Sequence, residues 1–136
     1  MQALDTMIRL HKFQLDDKRR KLRELRDLSQ QMQASLQQLE AEVVREQSLA
    51  ANNIGTQKIF NSFKKMADAR KLTLLESLER LEQEVMTITD EIAEAFTELK
   101  RFEITKDENL AKSKKQKLYQ ENQQLDEVAL QRFRRG

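Results

Sequence analysis

The stretch from Leu74 to Phe102 reads LLESLERLEQEVMTITDEIAEAFTELKRF. Apolar residues recur in it at alternating steps of four and three, and charged or other polar residues fill most positions between them. This repeat predicts a coiled coil, in which one narrow apolar seam of a helix packs against a partner helix. All nine seam positions are apolar: Leu74, Leu78, Leu81, Val85, Ile88, Ile92, Ala95, Leu99 and Phe102.

A second repeat lies upstream, between Leu4 and Ala50. Every seventh residue from Ile8 to Ala50 is apolar except Ser29. The companion series, from Leu4 to Glu46, is interrupted by polar residues. We interpret its His11 as a packing residue, and its Lys18 and Glu46 as residues that set the register of pairing.

The composition of the 136-residue chain excludes folds that need many turns. It has no proline, and Gly55 is the only glycine before the last residue. Barrels, sandwiches and doubly wound sheets need frequent turn residues. Asparagine and glycine favour a helix end, so we predict helix 1 at about 3–51, a turn at 52–56 and helix 2 at about 57–132, with Thr56 as N-cap. We treat residues 1–136 as a single coiled-coil domain.

Charge patterning favours an antiparallel hairpin, all-α, with a longer second helix. A turn near residue 54 pairs positions whose numbers add to about 108. Residues 9–26 then face residues 82–99. The first segment is mostly basic and the second contains acidic residues but no Lys or Arg. A parallel dimer of bent helices, the alternative, would place the basic segment against itself.

Unequal arms leave residues 105–136 without a partner from helix 1. A single helix with a weak apolar stripe is marginal in water, so we expect this overhang to bind another protein. The candidate partner-binding residues are Lys112, Lys114, Lys115, Lys117, Leu118, Tyr119, Glu121, Leu125, Asp126, Glu127, Val128, Ala129, Arg132 and Phe133.

The residue inventory argues against an enzyme. The chain has no cysteine, one histidine and no glycine-rich phosphate loop, so we expect no catalytic residue, metal, cofactor or small-molecule substrate. The net charge of +2 is too balanced to indicate nucleic acid binding. No signal peptide and no apolar run of about 20 residues occurs, which predicts a cytoplasmic protein.

The C-terminal piece Leu125-Asp126-Glu127-x-Ala129-x-x-Arg132, preceded by Glu121, resembles the closing pattern of the flagellar export protein family FliJ. Chain length and the two-helix organisation are similar to that family too. The injectisome stalk proteins of the YscO type are related. The motif covers about twelve residues, while the architectural resemblance covers the whole chain.

The resemblance implies a non-enzymatic stalk and adaptor of flagellar type III secretion. FliJ-like proteins bind the hexameric export ATPase ring and the cytoplasmic domain of the export gate, and they receive export chaperones. We therefore expect a protein that is monomeric when free and peripheral at the cytoplasmic face of the inner membrane, at the flagellar base. The alternatives are an injectisome stalk protein of the YscO type, a generic coiled-coil export chaperone or adaptor, and a nucleic-acid-associated coiled coil.

Overall fold

The computed structural model of the protein describes residues 2–51 and 54–135, and nearly all of them are helical. Helix α1 runs Gln2–Ala50 and helix α2 runs Ile54–Arg135. No strand occurs in these two described ranges. The predicted all-α class is confirmed, and α2, with 82 residues against 49 for α1, is the longer helix as expected.

The two helices divide into two compact units, and within each unit they run antiparallel. The terminal unit combines Met1–Leu15 with Glu94–Gly136, and the central unit is Asp16–Ala93. In the central unit, Lys18 pairs with Glu91 and Glu40 pairs with Lys71. Residues further along α1 thus meet residues earlier in α2, which confirms the predicted antiparallel pairing. That residues 1–136 form a single domain stays a prediction.

The buried core is the predicted seam. In the described part of the chain, the buried apolar side chains are Ile8, Leu15, Ala50, Ala67, Leu74, Leu81, Ile88 and Leu99. All occupy predicted seam positions except Ala67, which extends the α2 seam by seven residues before Leu74. Burying one Leu or Ile side chain stabilises a fold by about 1.5–3 kcal/mol relative to leaving it exposed. The polar members of the α1 seam, Ser29 and the three interruptions of the companion series, are half-buried at the predicted positions.

The connection between the helices differs from the prediction in its bounds. α1 ends at Ala50, and Gly55 and Thr56 lie in the first turn of α2 rather than in a turn before it. Thr56 is therefore not the N-cap of α2. Its hydroxyl donates a hydrogen bond to the carbonyl oxygen of Ala50 at 3.4 Å, so it satisfies a carbonyl at the end of α1. Asn52 and Asn53, also predicted in the turn, lie outside the described residues.

Candidate functional site

An ion pair marks the end of the paired seam in the terminal unit. Lys106 Nζ lies 2.7 Å from a carboxylate oxygen of Asp5, and both side chains are partly exposed. The hydrogen bond from Lys106 lowers the pKa of Asp5, and the positive charges of Lys106 and Arg9 add to the effect. Lys106 lies seven residues after the seam residue Leu99, so it interrupts the apolar repeat at a seam position. The structure shows that this interruption has a partner of opposite charge on α1, so the prediction that residues 105–136 have no partner from helix 1 is wrong at Lys106.

A ring contact lies next to this ion pair along the seam. The rings of His11 and Phe102 are stacked, with centroids 4.8 Å apart and an angle of 30° between their planes. The predicted packing role of His11 is confirmed. His11 occupies a seam position where Leu would be usual, and its flat ring covers the face of the last aromatic residue of the α2 repeat.

Beyond Lys106, α2 continues as an exposed helix to Arg135. Every residue from 107 to 135 is exposed, whereas a buried or half-buried residue recurs every few positions from 60 to 106. At a rise of about 1.5 Å per residue, this overhang, residues 107–135, is roughly 40 Å long. All fourteen predicted partner-binding residues lie in the overhang, so their backbone belongs to one continuous helix.

The overhang presents one apolar stripe flanked by charge. Leu118 and Leu125 are seven residues apart, which places them on one helical face with Ala129. Glu121 and Arg132 lie on the same face, at spacings of four and seven from Leu125. The two leucines are 59% and 66% exposed. The motif residues Glu121, Leu125, Ala129 and Arg132 are therefore brought together on one surface, while Asp126 and Glu127 lie on other faces.

Tyr119 lies beside the stripe rather than on it. Its hydroxyl oxygen accepts a hydrogen bond from the side-chain amide of Gln123, one turn later, at 3.0 Å. This bond links the phenol to the next turn of the helix, and Tyr119 remains 65% exposed. Such a side chain, apolar on its faces and polar at its tip, is common in protein interfaces.

Basic residues occupy both ends of the overhang. Lys112, Lys114, Lys115 and Lys117 follow the end of the paired seam, and Arg132, Arg134 and Arg135 occupy the last turn of α2. Positive charge in a last turn interacts favourably with the negative end of the helix dipole. Between these clusters lie the acidic residues Glu121, Asp126 and Glu127. The overhang therefore offers charges of both signs around its apolar stripe.

The central unit contains the predicted contact between the basic and acidic segments. Lys18 Nζ lies 3.9 Å from Glu91, and both side chains remain partly exposed, so the pair adds only about 0–1 kcal/mol. Between the helices lies a groove of about 780 Å³. Its lining includes Leu25, Leu28 and Ile88 together with charged residues of both signs, among them Lys21, Glu24, Arg80 and Glu84.

Neither a metal centre nor a membrane span is found in the described residues. No group of three or more metal-ligating side chains occurs in residues 2–51 and 54–135. Within the same ranges, neither helix contains a stretch apolar enough to cross a bilayer.

Comparison with known proteins assigns the chain to a family. The family model described as "Flagellar FliJ protein" matches residues 1–136, which is the whole chain. The protein belongs to the FliJ family. The resemblance predicted from the C-terminal motif is thereby confirmed, and this FliJ-family protein is a component of the flagellar export apparatus. No curated protein and no solved structure gives a significant match.

Proposed function

We propose that this FliJ-family protein is a non-enzymatic stalk and adaptor of the flagellar export apparatus. In this proposal it binds the hexameric export ATPase ring, contacts the cytoplasmic domain of the export gate and receives export chaperones. It is monomeric when free and works at the cytoplasmic face of the inner membrane, at the flagellar base. Membership of the FliJ family supports the assignment to the flagellar export apparatus, and the exposed overhang supports the role of stalk and adaptor.

The observation that carries the proposal is the exposed apolar stripe on the overhang. Leu118 and Leu125 have the same seven-residue spacing as the buried Leu74 and Leu81 of the seam. No α1 residue covers them, since both leucines are more than half exposed and the ion pair between Asp5 and Lys106 lies at the end of the paired seam. A helix with this stripe and mixed charge is suited to pack against helices or loops lining a protein pore.

The paired helices suit a stalk. Their buried seam holds two helices side by side, and bending them requires apolar contacts to be broken along the seam. Outside the seam the paired segments are predominantly polar and charged. Such a surface limits fixed apolar adhesion, so a helix pair of this kind can move inside a ring without binding tightly to its wall.

The charged residues of the described helices favour a non-enzymatic role. General acid–base catalysis needs titratable groups held in a protected site with shifted pKa values. The pKa shift of Asp5 arises from a partly exposed ion pair with Lys106 at the end of the seam. This arrangement resembles structural ion pairing more than a catalytic site.

The overhang is tested by placing charge on its apolar stripe in the full-length protein. The Leu118→Asp/Leu125→Asp variant is expected to bind the purified export ATPase at least about tenfold more weakly, because buried apolar anchors dominate interface energy. Surface plasmon resonance measures the affinity, and stimulation of ATP hydrolysis gives a second readout. Circular dichroism establishes that the helix pair remains folded.

A matched control places the same two charges elsewhere on the overhang. Gln120 and Gln131 point away from the stripe, so the Gln120→Asp/Gln131→Asp variant is expected to bind the ATPase within about twofold of the unchanged protein. If the stripe variant binds and stimulates the ATPase as well as the control does, the overhang is not the ATPase contact. Binding to the isolated gate domain and to export chaperones is measured separately with the same variants.

The remaining alternatives fit the observations less well. The match to a flagellar family model favours the flagellar branch over an injectisome stalk of the YscO type. A generic chaperone that holds unfolded substrates needs a long apolar groove, whereas the groove of the central unit is lined by many charged residues. The Lys18–Glu91 pair gives part of the basic segment a role within the helix pair, which weakens the case for nucleic acid binding.

A further inference from the structure

The two helices carry unusually exposed apolar side chains where they meet at their connection in the central unit. We define the tip segment as residues 44–51 of α1 and 54–73 of α2. Six large apolar residues in it have exposures between 60% and 81%: Val44, Leu49, Ile54, Ile59, Met66 and Leu72. None of them belongs to the buried seam, which continues through Ala50, Phe60 and Ala67. The tip segment thus has a second apolar surface that the helix pair does not cover.

On α2 these apolar residues share one outward face with two lysines. Lys58, Lys65 and Leu72 form one row at seven-residue spacing, and Ile59, Met66 and Thr73 form another. The row between them consists of the small, uncharged residues Gly55, Ser62 and Ala69. The hydroxyl of Thr73 donates to the carbonyl oxygen of Ala69 at 3.1 Å, so it is satisfied within its own helix. No acidic residue occurs in the three rows.

The lysines of this face are available for an external partner. In the part of the chain that the structure describes, neither Lys58 nor Lys65 forms an ion pair. Lys71, which lies towards α1, instead pairs with Glu40 at 3.4 Å. Residues 44–72 contain six Lys or Arg against two Asp or Glu, a clear excess of positive charge on a protein that is otherwise nearly balanced.

The α1 part of the tip segment extends the apolar surface. Leu49 of α1 and Ile59 of α2 line the same shallow depression of about 260 Å³, together with Phe60, Phe63 and one acidic residue, Glu46. The apolar surface is therefore continuous from one helix to the other. Ile54, Ile59 and Met66 are each more than 70% exposed, so they project outward instead of lining a deep groove.

We propose that the tip segment binds the surface of an anionic lipid bilayer. Projecting Ile and Met side chains can enter the boundary between headgroups and acyl chains, which deforms to receive them. Lys58 and Lys65 lie beside these side chains, so their aliphatic stems can follow the apolar surface while the ammonium groups meet lipid phosphates. Basic amphipathic faces of this kind are typical of segments that lie on membranes. An acidic protein partner would need matching pockets for these projecting side chains. Its own apolar anchors would also need deep recesses in the tip segment, which these projecting residues do not provide.

This surface shares no residue with the overhang, so its test is independent of ATPase binding. In flotation experiments, the full-length protein is expected to bind vesicles of phosphatidylglycerol and phosphatidylcholine, and binding is expected to fall as salt is raised. Vesicles of phosphatidylcholine alone should bind far less. The Lys58→Glu/Lys65→Glu variant is expected to lower the partition coefficient at least about 30-fold.

The matched control reverses the charge at two lysine positions of the overhang. Lys112→Glu/Lys114→Glu changes the net charge by the same amount and is expected to leave vesicle binding near that of the unchanged protein. A further variant, Ile59→Gln/Met66→Gln, keeps the charge and removes the apolar side chains, and it should lower the partition coefficient at least about tenfold. None of the substituted positions belongs to the buried seam, so all variants are expected to keep the helical content of the unchanged protein. Circular dichroism checks this.

A fluorescent probe locates the contact directly. The chain contains no tryptophan, so Ile59→Trp introduces a single indole. Its emission is expected to move to shorter wavelength with phosphatidylglycerol vesicles, while a Leu130→Trp control on the overhang stays unchanged.

Three results would overturn the proposal. They are equal binding to charged and uncharged vesicles, an equal loss of binding in the overhang control, and no vesicle binding by a protein whose flagellar function still depends on Lys58 and Lys65. The last result would assign the tip segment to an acidic protein partner.

Discussion

α2 contains two regions of similar sequence character and opposite environment. In the paired region, residues 60–106, leucines at seven-residue spacing such as Leu74 and Leu81 are 6% and 7% exposed. In the overhang, Leu118 and Leu125 have the same spacing and are more than half exposed. The helix itself does not change between the regions. An apolar stripe therefore becomes core only where a second helix lies against it, and elsewhere the same stripe becomes a surface for binding.

The largest difference between the regions is expected in backbone dynamics. Amides of residues 74–99 are held in a helix that packs against α1, whereas the overhang depends on helix propensity alone. Hydrogen–deuterium exchange should be at least about 100-fold slower at residues 74–99 than at residues 107–135. Equal protection in both regions would mean that the overhang is covered in solution, for instance by a second copy of the chain.

Adding the export ATPase should reduce the difference in amide exchange rate between the two regions. If the overhang binds the export ATPase, its amides become protected in the complex, and those of residues 74–99 change little. The same exchange experiment, repeated with the ATPase present, measures this. Protection that appears only in the central unit would contradict the proposed position of the ATPase contact.

The next largest difference concerns stability. Leu81→Ala removes a buried side chain and leaves a cavity, so we expect the free energy of unfolding to fall by about 2–4 kcal/mol. Leu125→Ala removes an exposed side chain of the same type and is expected to change it by less than about 0.5 kcal/mol. Urea unfolding followed by circular dichroism measures both. A similar loss in the two variants would show that Leu125 is packed in the free protein.

The smallest expected effect lies at the boundary between the regions, where Lys106 pairs with Asp5. Lys106 lowers the pKa of Asp5, so this contact stabilises the folded state above the usual pKa of an aspartate. The stabilisation is lost as the pH falls through the lowered pKa. In an NMR titration of the Asp5 carboxyl carbon, Lys106→Gln should move its pKa upward, towards the ordinary value. Lys112→Gln is the control, and a pKa that stays low in Lys106→Gln would mean that Lys106 is not the cause.

Much of the fold could be predicted from the sequence, because each helix has a regular apolar repeat and the chain has one interior position suited to a break. The connection was less predictable. The residues from 54 to 59 are helical but exposed, and α2 makes its first half-buried contact at Phe60. As a result, the residue numbers of pairs such as Asp5–Lys106 add to slightly more than the predicted 108. Helical residues at the connection, where the chain reverses direction, have no sequence pattern that distinguishes them from helical residues that pack against the other helix.

The candidate site was also predictable only in part. The unequal arms indicated an unpaired end, and the motif residues could be placed on it by number. Lys106 was missed as a partner of Asp5, since a lysine at a seam position appears in sequence only as an interruption. The six exposed apolar residues of the tip segment were missed for a related reason. Single Ile, Leu or Met residues outside a repeat are ordinary, and they matter only when neighbouring rows bring them together.

The sequence by itself determined that this chain forms two long helices with an apolar seam, since seam spacing, the scarcity of glycine and the absence of proline act locally along each helix. Antiparallel pairing was already favoured by opposite charges on the two arms. Only the tertiary structure decided which residues face each other, where pairing stops and which apolar side chains stay uncovered. The physical reason is that a side chain becomes buried only when a second surface packs against it. Leu81 and Leu125 are the same residue type in the same helix, and they differ in whether α1 lies against them.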